Sequence, residues 1–272
     1  MNRMEKLVTV FFDMEGWWES QCRRRFDEEA TVRAVSDILD KHKAKAVFNT
    51  CGIVVENFPN LVRRLHENGH EIASHGYAHE NFIQSQQLGQ LDDVLAKTEK
   101  LVEDATGAKP AGVRPPWLFA NPAVYATIEK RGYSWISNYS VFRTEIMDNP
   151  SVATSFKPIK KVFFGLQWAR SRKEPFRNGS LLEIPLLSSQ DGELLGVMDP
   201  GQETPQAWID FAYESMRKQF DRSGRVFNLN FHPWLIGTAN RIEVLDRMLD
   251  YINNSGHDVK FVLAKDLLAL YP

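Results

Sequence analysis

Cysteine is nearly absent from this 272-residue chain. Cys22 and Cys51 are the only two, too few for a disulfide framework, and both are expected to be free thiols. No sign of charge dominates. The 33 Lys and Arg against 35 Asp and Glu leave −2, so nothing points to nucleic acid or a membrane surface as partner. The run Arg23-Arg24-Arg25 is answered by Asp27-Glu28-Glu29 and reads as a solvated mixed-charge face. No apolar run approaches the ~20 residues of a membrane span. The first residues show neither the apolar segment nor the small-residue cleavage site of a secretory leader, so the expected compartment is cytoplasmic. Repeats, low-complexity tracts and linkers are missing too, and residues 1–272 are expected to form a single domain.

What is present is an alternation. Apolar runs at 7–12, 44–49, 71–74, 111–114, 134–137, 181–184, 226–231 and 259–262 read as strands. Segments at 28–42, 57–68, 84–106, 122–131, 205–222 and 241–253 carry helical spacing between them. Residues 138–179, with Pro150, Pro158 and Pro175, read as long loops with short strands. Repeated β/α units argue for a parallel sheet covered by helices. Their number fits a barrel of seven or eight strands, with its chemistry at the C-terminal strand ends.

Polar residues gather at such ends. The stretch VFFDMEGWWE (10–19) closes a strand with Asp13 and Glu15. Residues i and i+2 of a strand face the same way, so these carboxylates must hold a cation, share a proton or stand in water. In GHEIASHGYAHEN (69–81), His75 and His79 are four apart. A helical turn there would put both imidazoles on one face, a common way to offer them to one metal ion. With the Asp13-x-Glu15 pair they make a two-His, one-carboxylate set plus a spare carboxylate, and so a catalytic site with open positions. His70 reads as a structural histidine bonded to local backbone; His42, His66 and His257 have no assigned role.

In VRPPWLF (113–119), Arg114 suits bidentate bonds to a carboxylate. Pro115 and Pro116 stiffen the turn and lack N–H groups, so the first amide after Arg114 is that of Trp117, a candidate oxyanion donor. In VFNLNFHPW (226–234), Phe227, Leu229 and Phe231 alternate with Asn228, Asn230 and His232. The polar face would point into the barrel, offering Asn230 to a substrate and His232 as a general acid.

The segments FFDMEG, SHGYAHEN, VRPPW, LEIP and NLNFHPW, in this order, resemble the polysaccharide deacetylase family (carbohydrate esterase family four). The resemblance spans most of the chain, from Leu7 to Leu268, and is weakest between Asn138 and Gly179. It implies an α/β fold, a distorted (β/α) barrel of about seven parallel strands, and one divalent metal ion. Zinc is the first expectation, with cobalt, nickel, iron or manganese as alternatives. Carried over residue by residue, Asp13 is the general base, Glu15, His75 and His79 are the metal ligands, Arg114 orients Asp13 and His232 is the acid. The family's usual first motif has adjacent aspartates. The spaced Asp13-Met14-Glu15 looks more like a subgroup that includes cyclic-imide and allantoin hydrolases and atypical sugar deacetylases.

The leading expectation is an N-deacetylase of an acetylamino sugar in a cytosolic saccharide or glycan precursor. Trp17, Trp18, Trp117 and Trp234 flank the proposed site residues and could stack on sugar rings. A hydrolase of a small cyclic amide, imide or ureide is the alternative, and a non-catalytic saccharide-binding protein a third reading. A homo-oligomer is compatible with all three.

Overall fold

The computed structural model describes residues 5–16, 27–140, 171–195, 203–237 and 239–272. At its centre lies β1 (Glu5–Met14), buried along almost its whole length, as parallel strands covered on both faces are. β2 (Ala46–Thr50) pairs with its C-terminal half and β8 (Val226–Phe231) with residues 7–12, both in parallel. From β2 the sheet runs in parallel through β3 (Glu71–Ser74), β4 (Gly112–Val113), β5 (Trp135–Ile136) and β7 (Leu181–Glu183). The nine-stranded sheet is completed by antiparallel β6 (Phe176–Asn178) beyond β7 and by β9 (Asp258–Phe261), which pairs with the start of β1. This curled, mostly parallel sheet with helices is the distorted α/β barrel expected, and the parallel path β7-β5-β4-β3-β2-β1-β8 meets the expected strand number.

The first helix, α1 (Glu28–Lys41), starts where the Asp27 side chain accepts the Ala30 amide. The helix expected over 57–68 is α3 (Pro59–Glu67), preceded by α2 (Gly52–Asn57), a short helix the sequence reading did not include. The two are separate because the residue before a proline is driven out of the helical region, and Phe58 sits at φ −132°. The helix expected over 84–106 is divided into α4 (Phe82–Gln87) and α5 (Leu91–Thr106), separated at Gly89 with φ 70°. The remaining α-helices among the described residues are α6 (Pro122–Lys130), α7 (Asp191–Leu195), α8 (Gln206–Arg222), α9 (Pro233–Ile236) and α10 (Ile242–Asn254).

Two devices shape the interior. Gly112 pairs with Trp135 across β4 and β5, and a Cβ at Gly112 would lie 1.8 Å from the Trp135 ring. The glycine therefore lets the indole lie across the barrel, 6.1 Å from the Phe11 ring, with its N–H donating to Glu71 at 2.8 Å. The second device is the seam between β7 and β8. Only a lone parallel bridge, Gln190 to Asn230, joins the two edges among the described residues. Side chains do the rest. Asn228 donates to the Pro185 carbonyl at 2.6 Å and accepts the Leu187 amide at 2.9 Å, and Asn230 donates to Ser188 Oγ at 3.1 Å.

Candidate active site

The C-terminal strand ends surround a cavity of about 370 Å³ whose wall includes Asp13, Glu15, His75, His79, Trp117, His232 and Trp234. Asp13 pairs with Asn49 in the β1–β2 ladder, and the Asn49 amide donates to Asp13 Oδ1 at 2.6 Å. Arg114, fully buried just past β4, donates to the same oxygen at 2.9 Å. Burial pushes the Asp13 carboxyl up, but Arg114, with His75 and His232, holds it below its usual range.

Arg114 uses its other amino group on Ser137 Oγ and Asn230 Oδ1, each at 3.1 Å. This corrects the reading of Asn230 as a residue offered to substrate. It is buried between Arg114 and Ser188 and does not form part of the cavity wall. The polar face of β8 is spent on closing the barrel and steadying the arginine.

Glu15, His75 and His79 come together. Glu15 Oε1 lies 3.0 Å from His79 Nε2 and 3.9 Å from His75 Nε2, and one ligand atom of each residue falls within 4.8 Å of the others. The helical turn expected for the two histidines is not how they meet. Residues 75–81 form a tight loop with Gly76 at φ 76° and His79 at φ 60°, backbone that no right-handed helix contains. The Glu80 carboxylate holds that loop by accepting the Tyr77 and Ala78 amides at 3.0 and 2.9 Å.

The donor set suits a divalent cation. His75 Nδ1 donates to the Arg114 carbonyl at 2.7 Å, which fixes the tautomer and turns the Nε2 lone pair toward the cluster. That Nε2 is buried with no hydrogen-bond partner, a costly state for a polar atom that a metal ion would relieve. Burial raises the Glu15 carboxyl, yet His232, His75 and His79 carry it well below its usual range. Burial lowers the His79 imidazole. A charged carboxylate beside a neutral imidazole is what metal ligation requires.

His232 follows β8, with Nε2 3.6 Å from Glu15 Oε1. Its Nδ1 donates to Asp191 Oδ1 at 2.6 Å and its backbone N–H to Asp191 Oδ2 at 2.8 Å. Burial alone would lower this imidazole, but Asp191, then Glu15 and Asp13, push it up to about 10. Sequence reasoning missed Asp191. The available signal was the polar run Ser188-Ser189-Gln190-Asp191 beyond a strand end, where barrel chemistry collects.

Trp117 is half exposed at φ 59°, with its ring edge-on to His79 at 4.8 Å. Trp234 is buried, and its indole donates to Glu15 Oε2 at 3.1 Å. Trp17, Trp18 and Cys22 lie outside the described residues. Cys51 is buried with its thiol on the His75 carbonyl at 3.3 Å, and His70 accepts the Ala46 amide through Nδ1 at 3.1 Å.

A parallel α/β barrel with this cluster at its C-terminal strand ends defines the class: a hydrolase-type barrel with a two-His, one-carboxylate centre. Comparison with known proteins makes it specific. The polysaccharide deacetylase family model matches residues 2–136. A peptidoglycan deacetylase of Helicobacter pylori is 23% identical over 245 residues, which cover 85% of this chain and 80% of that protein. A Mycobacterium smegmatis structure described as a polysaccharide deacetylase aligns at TM-score 0.70 and 19% identity, over 99% of this chain and 91% of that one. The Puue allantoinase aligns at TM-score 0.66 and 13% identity, over 97% and 89%. These two structures show the shared fold. The chain belongs to the polysaccharide deacetylase family and is a hydrolase of carbon–nitrogen amide bonds.

Proposed function

We propose that this chain is a metal-dependent N-deacetylase of an acetylamino sugar. The observation that carries the reading is that Asp13, hydrogen-bonded to Arg114 and Asn49, and His232, hydrogen-bonded to Asp191, face one cavity across the Glu15–His75–His79 cluster. A divalent cation held by Glu15, His75 and His79, zinc first, would supply Lewis acidity and lower the pKa of water to about 7. Asp13 takes the proton of the attacking water. Its Oδ1 is tied to Arg114 and Asn49, so the carboxylate cannot swing away and stays ionised. His232 gives its proton to the leaving nitrogen, and Asp191 stabilises the imidazolium until then. The Trp117 amide, in a turn stiffened by two prolines, is the proposed oxyanion donor. The half-exposed Trp117 ring is the proposed surface for stacking on the sugar, a role also proposed for Trp17 and Trp18, whereas the Trp234 ring is too deeply buried to offer a face to it. The cavity is of the size class of small-molecule sites, which favours a small saccharide or glycan precursor as substrate.

The test is metal analysis of the purified chain, followed by acetate release from acetylated amino-sugar oligosaccharides and nucleotide sugars. Asp13→Asn and His75→Ala should each abolish turnover. Substantial activity in either, at controlled metal content, would sink the assignment.

A further inference from the structure

The first motif carries a glutamate, and a glutamate has one more rotatable bond to immobilise than an aspartate. A metal ligand must be held still, so something has to restrain the Glu15 carboxylate. Trp234 is placed to do so. Its Nε1 donates to Glu15 Oε2 at 3.1 Å, and both side chains are buried. The indole is itself fixed: it lies 5.8 Å from the His232 ring and sits in α9 directly after Pro233. With Oε2 engaged, Oε1 is the oxygen turned toward His79 at 3.0 Å and His75 at 3.9 Å. An indole N–H suits this position chemically. It donates but cannot accept, so it does not compete for the cation, and it adds no positive charge that would repel one.

We propose that Trp234 is a positioning residue for the metal, pinning Glu15 so that it binds through Oε1 alone. The inference rests on the metal-site reading above, and Trp234 acts through Glu15 without being a ligand. It gives the Asp13-Met14-Glu15 motif and the HPW segment one shared task, although they lie 219 residues apart.

The test is zinc affinity, measured by competition with a chromophoric chelator, alongside the denaturant midpoint of the metal-free chain. Trp234→Phe keeps a ring and removes the donor. It should bind zinc ~10–100-fold more weakly, the usual cost of losing a partner that orients a ligand, with the metal-free midpoint little changed. In a Glu15→Asp background the shorter acid gives up the indole bond, so Trp234→Phe should cost nothing further there. Unchanged affinity in the single variant overturns the inference, and so does an equal loss in both backgrounds, which would mark Trp234 as packing only. A wild-type chain that binds no zinc overturns it together with the metal-site reading. If Trp234→Phe does not fold, the wild-type chain with nitrogen-15-labelled tryptophan decides. The Trp234 indole N–H should exchange with solvent more slowly when zinc is bound, and an unchanged rate overturns the proposal.

Discussion

Asp191 stands to His232 as Arg114 stands to Asp13: each is a buried partner that sets the charge of a residue on the cavity wall. The two pairs have opposite polarity, so one side of the cavity is proposed to accept a proton and the other to give one. Replacing Asp191 with Asn removes the largest influence holding the imidazole up at about 10, and burial then lowers it. A general acid works only while protonated. The alkaline limb of kcat/KM should therefore move to lower pH in Asp191→Asn, and kcat should fall by roughly 10²-fold or more. Profiles of both enzymes loaded with the same metal check this, and an unmoved limb would remove Asp191 from the mechanism. Asp13, Glu15, His75, His79, Arg114 and His232 were visible in the sequence because each stands at a strand end inside a compact motif. Asp191 was not, because it meets its partner 41 residues away only after the barrel has closed, and an Asp-Gly pair by itself reads as a turn.

Among the elements, the strands at 71–74 and 226–231 match the sequence reading to the residue, the second because its apolar and polar residues alternate with the two-residue period of a strand. The loop holding His75 and His79 does not match. Four-residue spacing suggests a helical turn, while Gly76 and the Glu80 carboxylate impose another geometry that delivers the same two imidazoles. Residues 176–178 fall within the stretch read as long loops with short strands, and they form one such strand, short and mostly exposed. The seam is invisible in a sequence for a different reason: it is made of side-chain bonds from Asn228, and periodicity reports only which face a residue occupies. Asn228→Ala would leave the buried Leu187 N–H and the Pro185 carbonyl without their partner. At ~1–3 kcal/mol for each orphaned group, the loss should show as a clear fall in urea midpoint. Asn228→Ala with an unchanged midpoint would mean the barrel does not depend on this latch. Gly112→Ala should also destabilise, because the new methyl meets the buried Trp135 ring.

For the whole molecule, acid sensitivity follows from His70. Burial lowers its pKa from 6.5 to about 4, and in that neutral form Nδ1 accepts the Ala46 amide. Between those values the unfolded chain binds a proton that the folded chain does not. His70 therefore adds stability above pH 6.5, and that contribution drains away as pH falls toward 4. The loss amounts to roughly 3 kcal/mol over the window. Glu71 and Glu183 work in the opposite sense near their own values, because burial raises both carboxyls. Comparison with His70→Gln isolates the histidine: the variant's urea midpoint should depend less on pH between 6.5 and 4, and an equal dependence would contradict this account. The strand that forks from the sheet has a mechanical consequence as well. β9 runs parallel to β1, from Glu5 opposite Asp258 to Val8 opposite Phe261. A force pulling Glu5 one way and Phe261 the other slides these strands along each other, so their rungs bear the load together instead of parting one at a time. Stretched from those two points in an optical trap, the barrel should give way at a higher force than when it is held so that the pair is peeled from one end.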